Sequence, residues 1–315
     1  MIDRRIKFRH IQCFVEICRE KSLKQAADRL FLTQPAISKT LKELEEILDA
    51  KLLNRSRAGV SLTEQGKVFL HFAQMSLASL QQGLAGVEQL GDAGAETLSV
   101  GALPSVAARL MPDTAREFAG LAPKARLRII DGPVAYLIEQ LRQGRLDLVI
   151  GRLGRPEMMQ GLSFTQLYEE RVALIVRAGH PLLDDPDLKR LADWPVIYPP
   201  EGAAIRSLVD RFLIANGVGD LPNQIETVSG AFGRVHTRRT DSVWFISEGV
   251  VANEIADGFL VPLPVETGIT LGPVGLMTRP DLPDTPLMQL FRRAVANAIA
   301  EGQGDSAETS APVTE

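Results

Sequence analysis

Residues 22–46 read Ser22-Leu-Lys-Gln-Ala-Ala-Asp-Arg-Leu-Phe-Leu-Thr-Gln-Pro-Ala-Ile-Ser-Lys-Thr-Leu-Lys-Glu-Leu-Glu-Glu46, and their pattern is the clearest indication of how the N-terminal part folds. Ser22 and Thr33 are good N-cap residues, so each is expected to start a helix. Pro35 is tolerated in a first helical turn because its missing N–H needs no partner there. The stretch therefore predicts two short helices joined by a tight turn, the layout of a helix-turn-helix.

The second of these helices is expected to carry two different faces. Its apolar residues recur at helical spacing and share one buried face: Ile37, Leu41, Leu44 and Leu48. Gln34, Ser38 and Lys42 recur on another face, and Lys39 flanks them. This second ridge is polar and partly basic, as a surface that contacts bases and phosphates needs to be.

The distribution of charge supports nucleic-acid binding over an ordinary amphipathic hairpin, which the periodicity alone would also allow. The first 60 residues contain 13 Lys and Arg against 8 Asp and Glu, whereas the remainder contains 22 against 31. A basic head on an acidic body is the asymmetry expected of a chain with a nucleic-acid-binding module.

The segment after the helix pair, residues 51–63, predicts a small β-hairpin. Two β-like runs flank Arg55, Arg57 and Gly59. An arginine pair in a turn is often just solvated. Directly after a helix-turn-helix, however, arginines at the tip of such a wing suit a phosphate or a narrow minor groove.

The order of these motifs resembles the N-terminal winged helix-turn-helix of LysR-type transcriptional regulators. The residues that carry the resemblance are Ala26-Ala-Asp-Arg-Leu, Thr33-Gln-Pro-Ala-Ile-Ser38, Leu44-Glu45, Leu52-Leu-Asn-Arg55, Leu62-Thr63 and Gly66. The resemblance implies a ligand-responsive, homo-oligomeric regulator, commonly a dimer of dimers, that binds double-stranded DNA at an interrupted palindrome and acts with RNA polymerase. The DNA-binding residues expected from motif and resemblance together are Thr33, Gln34, Pro35, Ser38, Lys39, Lys42, Arg55 and Arg57.

Three further segments are similar to the subfamily that activates protocatechuate (pca) operons: residues 1–14, 40–48 and 154–157. That similarity implies activation of a neighbouring operon and a small anionic effector, such as a carboxymuconate or protocatechuate itself. Sugar-responsive regulators share parts of the pattern, so a sugar or another metabolite stays an alternative.

The chain is expected to contain three structural parts and a tail. Residues 1–63 form the winged helix-turn-helix and residues 64–94 a linker helix and hinge. Leu77, Leu80, Leu84 and Val87 follow a coiled-coil spacing in that helix, which indicates a copy of itself as partner; packing within its own domain is the alternative. Residues 95–300 form the effector domain, and residues 301–315, rich in Gly, Ser, Thr and acidic residues, are expected to be disordered.

Strand and helix patterns alternate from residue 97 onward, which predicts parallel sheets covered by helices. The overall expectation is an α/β protein with an all-α winged head, a long linker helix, and a periplasmic-binding-protein-like domain of two subdomains. Subdomain I is expected at residues 95–165 and 270–300 and subdomain II at 166–269, with the chain crossing between them near 163–168 and 265–270.

Loops at the carboxyl ends of these strands are the expected effector site, because ligands of doubly wound sheets bind there. The residues predicted to bind are Leu103, Pro104, Ser105, Asp131, Gly132, Pro133, Arg152, Pro200, Glu201 and Ser229. Ser105 is expected at a helix N-terminus, which favours a carboxylate, and Arg152 as a bidentate clamp. Asp131 suits a ligand hydroxyl but would repel a carboxylate. Each of these residues also has an ordinary structural explanation as a cap, a turn former or a surface ion pair.

Other classes of function find little support in the sequence. The four histidines and the two cysteines, Cys13 and Cys18, lack the spacing of metal ligands, and no cofactor is expected. No apolar run approaches the roughly 18 residues of a membrane span, and the charged N-terminus lacks a signal-peptide pattern, so we expect a cytoplasmic protein without membrane contact. A periplasmic solute-binding protein would have the second half alone, and an enzyme would need a catalytic constellation that the sequence lacks.

Overall fold

The computed structural model describes residues 3–56, 59–91, 96–280 and 282–308. The chain divides at Gly94 and Ala95 into an N-terminal unit, which we call the head, and a larger C-terminal unit. The two are treated separately below.

Within its described residues, the head consists of four helices and a two-stranded hairpin. Its elements are α1 (Phe8–Glu20), α2 (Leu23–Arg29), α3 (Gln34–Leu48), β1 (Leu53–Ser56), β2 (Gly59–Leu62) and α4 (Glu64–Gly91). The Ser22 hydroxyl accepts a hydrogen bond from Gln25 N and the Thr33 hydroxyl accepts one from Ala36 N, both at 3.4 Å. Both predicted helix starts are therefore capped as expected.

The apolar faces of these helices meet in one small core. Phe14, Ile17, Ile37 and Leu44 are fully buried there, and the Phe14 ring lies 5.4 Å from that of Phe69. Cys13 is part of the same core, and burial raises the pKa of its thiol to about 11. Burial likewise raises the pKa of the Cys18 thiol to about 12. Since the thiolate is the reactive form, both cysteines behave as small apolar fillers.

The described part of the C-terminal unit, residues 96–280 and 282–308, contains ten strands in two sheets. The strands are β3 (Thr97–Ala102), β4 (Arg126–Asp131), β5 (Leu148–Arg152), β6 (Ser163–Glu170), β7 (Val172–Arg177), β8 (Val196–Tyr198), β9 (Gln224–Glu226), β10 (Val243–Ser247), β11 (Leu260–Pro262) and β12 (Gly272–Thr278). The helices are α5 (Pro104–Arg109), α6 (Met111–Leu121), α7 (Val134–Arg142), α8 (Pro156–Met159), α9 (Arg206–Ala215), α10 (Gly230–Arg239), α11 (Ala252–Ala256) and α12 (Pro286–Glu308).

Each sheet has five strands and its own apolar core, so the unit has the two expected subdomains. The first sheet has the order β4-β3-β5-β12-β6, and the second has the order β11-β7-β10-β8-β9. Strands β4, β3 and β5 are mutually parallel, whereas β12 is antiparallel to both β5 and β6. The sheets are therefore mixed rather than purely parallel.

The first crossing between the subdomains lies later in the chain than predicted. Residues 163–168 were expected to cross, but they belong to β6, which stays in the first sheet up to Glu170. The chain crosses at Arg171, between β6 and β7, and returns at Leu271, just before β12. Subdomain I thus extends to residue 170 instead of 165.

The predicted linker helix is observed, whereas the predicted disordered tail differs in part from expectation. Helix α4 runs through Gly83 and Gly86 to Gly91, and the rest of the predicted hinge lies outside the described residues. Helix α12 continues to Glu308, so residues 301–308 of the predicted disordered tail are helical. Residues 309–315 lie outside the described part.

Candidate functional site

The recognition surface of the head is built on α3. Ile37, Leu41 and Leu44 bury one face of this helix in the core, which turns the opposite face outward. On that face Gln34, Pro35, Lys39 and Lys42 are exposed, and Ser38 is half-buried between them. The predicted polar ridge is therefore accessible along about two turns of helix.

Two of the predicted DNA-binding side chains already have partners within the head. Thr33 caps α3 with its hydroxyl, as described above. The Lys42 ammonium lies 3.4 Å from the Glu46 carboxylate one turn later. An exposed i,i+4 ion pair of this kind is weak, so Lys42 can exchange Glu46 for a phosphate at little cost.

The wing is attached directly to the recognition helix. Strands β1 and β2 pair antiparallel, with Arg55 opposite Val60, and Gly59 takes the φ of +117° that a side chain would disfavour. The Arg55 guanidinium donates a hydrogen bond to the Ser38 hydroxyl at 3.1 Å. Arg57, the second predicted wing arginine, lies outside the described residues. The structure thus brings Arg55 and Ser38 together in one polar surface.

Glu45 holds the wing in this position, a role that sequence reasoning missed. Its buried carboxylate accepts hydrogen bonds from Leu52 N at 2.9 Å and Leu53 N at 3.3 Å, and from the Lys51 ammonium at 3.0 Å. Burial opposes the charge, but these donors outweigh it and hold the pKa of Glu45 below its usual value. The sequence feature that could have revealed this role is an acidic residue between Leu44 and the β-like run of the predicted hairpin.

The C-terminal unit contains a cavity of about 600 Å³ between its two subdomains. Seven of the predicted effector residues line it, from three loops of subdomains I and II: Leu103, Pro104, Ser105, Asp131, Gly132, Pro133 and Ser229. Most of the remaining wall is apolar and comes from Val134, Ile205, Phe245 and Val250. A cavity of this size and character suits a small organic molecule with a few polar groups.

Arg234 supplies the positive charge of this cavity, and it was not among the predicted residues. Among the described residues that line the cavity, no other is a lysine or arginine. Its Nε lies 2.8 Å from a Glu254 carboxylate oxygen, and its Nη2 donates to Val250 O. The helical spacing could have revealed this residue. Arg234 lies four residues after Gly230, so both share the face of α10 that is directed at the cavity.

Arg152, predicted as a carboxylate clamp, is not among the residues that line the main cavity. It is only 6% exposed, and its guanidinium lies 3.5 Å from the Glu170 carboxylate. Its Nη1 donates to Thr270 O at 3.4 Å, and burial lowers its pKa. Arg152 instead forms part of the buried hinge between the subdomains.

A second cavity, of about 480 Å³, lies next to the main one and shares Val134, Ala203 and Ala204 with it. Arg152 and the predicted Glu201 line this second cavity, together with Arg155 and Arg206. Pro200 lines neither of the two. Apart from Pro200, the predicted effector residues therefore line one or the other of two neighbouring cavities.

The described residues contain neither a candidate metal site nor a candidate membrane-spanning helix. They contain no group of three or more His, Cys, Asp or Glu residues that could hold a metal ion. None of their helices is both long and apolar enough to cross a membrane.

Two family models match the chain and together cover most of it. The model of the bacterial regulatory helix-turn-helix protein, lysR family, matches residues 8–67, which hold the recognition surface. The model of the LysR substrate binding domain matches residues 91–300, which hold both cavities.

Curated relatives and solved structures agree with these models. The HTH-type transcriptional regulator PcaQ of Agrobacterium fabrum is 48% identical over 310 residues, covering 96% of this chain and 99% of that protein. The regulator YdcI of Escherichia coli is 33% identical and covers 95% and 98% of the two chains. A full-length variant of OxyR from Pseudomonas aeruginosa has the same fold, with a TM-score of 0.53 at 24% identity over 93% and 99% of the chains.

These relatives are regulators, not enzymes, and the matched head distinguishes the chain from a solute-binding protein. The chain belongs to the LysR family of bacterial DNA-binding transcriptional regulators.

Proposed function

We propose that this protein binds an interrupted palindromic operator as a homo-oligomer and activates a neighbouring operon in response to a carboxylate of the protocatechuate pathway. The 48% identity to PcaQ over nearly the whole of both chains supports the pathway. Contact with RNA polymerase is part of the same proposal, since an activator has to reach it.

The observation that carries the DNA-binding half is the surface formed by α3 and the wing. Gln34, Ser38 and Lys39 present short polar and basic groups, and the Arg55 guanidinium lies beside them. Side chains of this kind at the start of a helix read base edges in the major groove, while a wing arginine contacts phosphate or minor groove. In a symmetric dimer, two such heads read half-sites about one helical turn, ~34 Å, apart.

The exposed stripe of α4 supports a dimer of this chain. Val68, Phe72, Leu80 and Leu84 are exposed, at positions four or eight residues apart on the helix. Of the predicted coiled-coil residues, Leu77 packs within the head and the side chain of Val87 lies outside the described set. An apolar stripe on a helix of 28 residues is stabilised most simply by its copy in a second subunit.

The effector is proposed to occupy the main cavity. Its apolar walls suit an aromatic ring or a muconate chain, and Arg234 can turn from Glu254 to a ligand carboxylate. Ser105 and Ser229 line the same space and offer hydroxyl groups. Asp131 accepts a hydrogen bond from a ligand hydroxyl, which favours a hydroxylated acid such as protocatechuate over an unsubstituted one. The same carboxylate would serve a sugar, the second candidate ligand.

An anisotropy titration of the protein's own upstream intergenic DNA tests the proposal. The operator is titrated with and without protocatechuate, carboxymuconates and neutral sugars, at several salt concentrations. We expect tight, salt-sensitive and sequence-specific binding that one of the acids alters. Binding that only a sugar alters would replace the effector class, and the absence of specific binding would contradict the proposed function as a whole.

Variants of the head separate base reading from phosphate contact in the same titration. Ser38→Ala and Gln34→Ala should relax sequence preference, because they remove groups that reach base edges. Arg55→Ala should weaken binding to all sequences and reduce the slope of log K against log salt by about 1. Arg128→Ala, an exposed arginine of β4 outside the head, is the matched charge control and should change neither.

A further inference from the structure

Phe31 combines two features that a folded protein normally avoids. It lies in the turn between α2 and α3, and its side chain is 94% exposed. Its backbone has a φ of +55°, in the left-handed region. A bulky residue in this region is an outlier, whereas Gly, Asn and Asp occupy it at low cost.

The exposed ring of Phe31 contributes little packing to the head. The turn is held by backbone hydrogen bonds, from Phe31 N to Asp28 O at 3.3 Å and from Leu32 N to Ala27 O at 2.9 Å. Any residue other than proline can make the first of these bonds. The other two non-glycine residues with positive φ, among those described, are polar: Lys21 and Asp49.

The location of Phe31 indicates what its ring contacts. It precedes the α3 cap Thr33 by two residues, and Leu32 beside it is 51% exposed. Gln34 and Pro35, which follow, are exposed on the recognition surface. When the N-terminal end of a recognition helix enters the major groove, the turn that leads into it lies at the groove. Phe31 and Leu32 therefore extend the proposed DNA-binding surface and do not form a separate one.

DNA offers one strongly apolar group in the major groove, the C5-methyl of thymine, and phenylalanine is among the side chains that contact it. We propose that the Phe31 ring packs against a thymine methyl in each half-site and thereby determines specificity at that position. An exposed ring in a strained turn is then explained by an intermolecular contact. The inference rests on the proposed operator binding and adds a contact to it.

The first test compares stability with affinity in Phe31→Asn, which suits the left-handed backbone and removes the ring. We expect its melting temperature to rise by about 2–4 °C, because the backbone strain is relieved. Its affinity for the operator should fall about tenfold, with non-specific binding nearly unchanged. Phe31→Leu, which keeps an apolar side chain, should lose less affinity. Phe8→Ala removes a half-exposed ring from α1 of the same head and should leave operator affinity unchanged.

The second test replaces each thymine of a half-site by deoxyuridine, which lacks only the methyl group. At one position the wild-type protein should lose about three- to tenfold in affinity, whereas Phe31→Asn should lose nothing further there.

A fall in melting temperature of Phe31→Asn would mean that the ring packs within the head and would overturn the proposal. So would unchanged operator affinity, even if transcription with RNA polymerase dropped, because the ring would then contact the polymerase. If the proposed operator binding is itself wrong, the wild-type protein will not bind the operator specifically. The wild-type titration therefore separates that failure from a failure of the Phe31 proposal.

Discussion

At the residue scale, the buried Glu45 carboxylate fixes the angle between the recognition helix and the wing. Glu45 lies on α3 and accepts hydrogen bonds from the backbone N–H groups of Leu52 and Leu53, where the hairpin begins. Since Arg55 reaches Ser38 from that hairpin, Glu45 acts on the DNA-binding surface through position and not through contact. Small changes at Glu45 should therefore affect both stability and operator affinity.

Glu45→Gln should lower the free energy of unfolding by about 1–3 kcal/mol at pH 7, because two backbone donors and Lys51 lose a charged acceptor. The pKa of Glu45 is lowered in the folded protein, so its contribution is full above the unfolded pKa of roughly 4.3 and is lost as pH falls through the folded value. Thermal unfolding between pH 3 and 8 should show the two proteins converging at acid pH. Glu46→Gln, at an exposed position, is the control, and an equal loss there would contradict the assignment.

Arg234 is the residue whose replacement tests the effector site most directly. Arg234→Gln should weaken binding of an acidic effector about 10–100-fold in calorimetry, because a charged hydrogen bond contributes about 1.5–3 kcal/mol. Operator affinity without effector should stay near the wild-type value. Arg238→Gln, in the last turn of the same helix and stacked on Phe259, is the matched control. Equal effector affinity in the wild type and Arg234→Gln would mean that the effector carboxylate binds elsewhere. The second cavity, which is lined by arginines, would then be the next candidate site.

At the element scale, the predictions succeeded where the deciding interactions are local. The caps at Ser22 and Thr33 depend on backbone N–H groups three residues away, so the sequence alone contains both partners. A proline explains in the same local way why the helical segment after β3 is broken. Pro112 lies in a first helical turn, and the segment divides into α5 and α6 at Leu110.

Strand β6 could not be predicted, so the ion-pair partner of Arg152 was not visible in the sequence. Residues 163–170 lie at an edge of the sheet, pair only with β12 and, apart from Glu170, are half-buried or exposed, so they lack the apolar run of a central strand. Glu170, the buried partner of Arg152, closes this strand. Without β6, the sequence leaves open whether Arg152 binds a ligand or pairs with an acidic residue. A contact between residues on two separate strands is set by tertiary packing.

The exposed stripe of α4 leads to a prediction about assembly. Leu80→Glu combined with Leu84→Glu should convert the oligomer to a smaller species in sedimentation equilibrium, because charges would face each other across the proposed interface. The head should stay folded, since both leucines are exposed in the single chain. Gln81→Glu adds a charge at an exposed position between them and serves as the control. An unchanged mass for the double variant would remove α4 from the interface.

At the scale of the whole C-terminal unit, the two crossings between subdomains are bonded to each other. The Thr270 hydroxyl accepts a hydrogen bond from Val172 N at 2.9 Å, and these residues flank the two crossing points. Glu170, at the end of β6, accepts from Gly249 N of subdomain II at 3.2 Å and faces Arg152 of subdomain I. A ligand that bridges the main cavity therefore acts on subdomains joined by a short, buried hinge, and it can bias their arrangement only through unequal affinity for the alternatives.

Because the effector acts only through unequal affinity for the alternative arrangements, its effect on operator affinity must equal the operator's effect on effector affinity. If the effector changes operator affinity by some factor, saturating operator must change effector affinity by the same factor, typically about 5–150-fold. Calorimetry of effector binding with and without operator DNA measures one side and anisotropy measures the other. Thr270→Val, which removes the bond between the crossings, should alter this common factor while the intrinsic effector affinity changes less, because Thr270 lies outside the main cavity. Two unequal factors in the wild type would mean that effector and operator do not act on one equilibrium, and the coupling would then need a separate ligand-binding event.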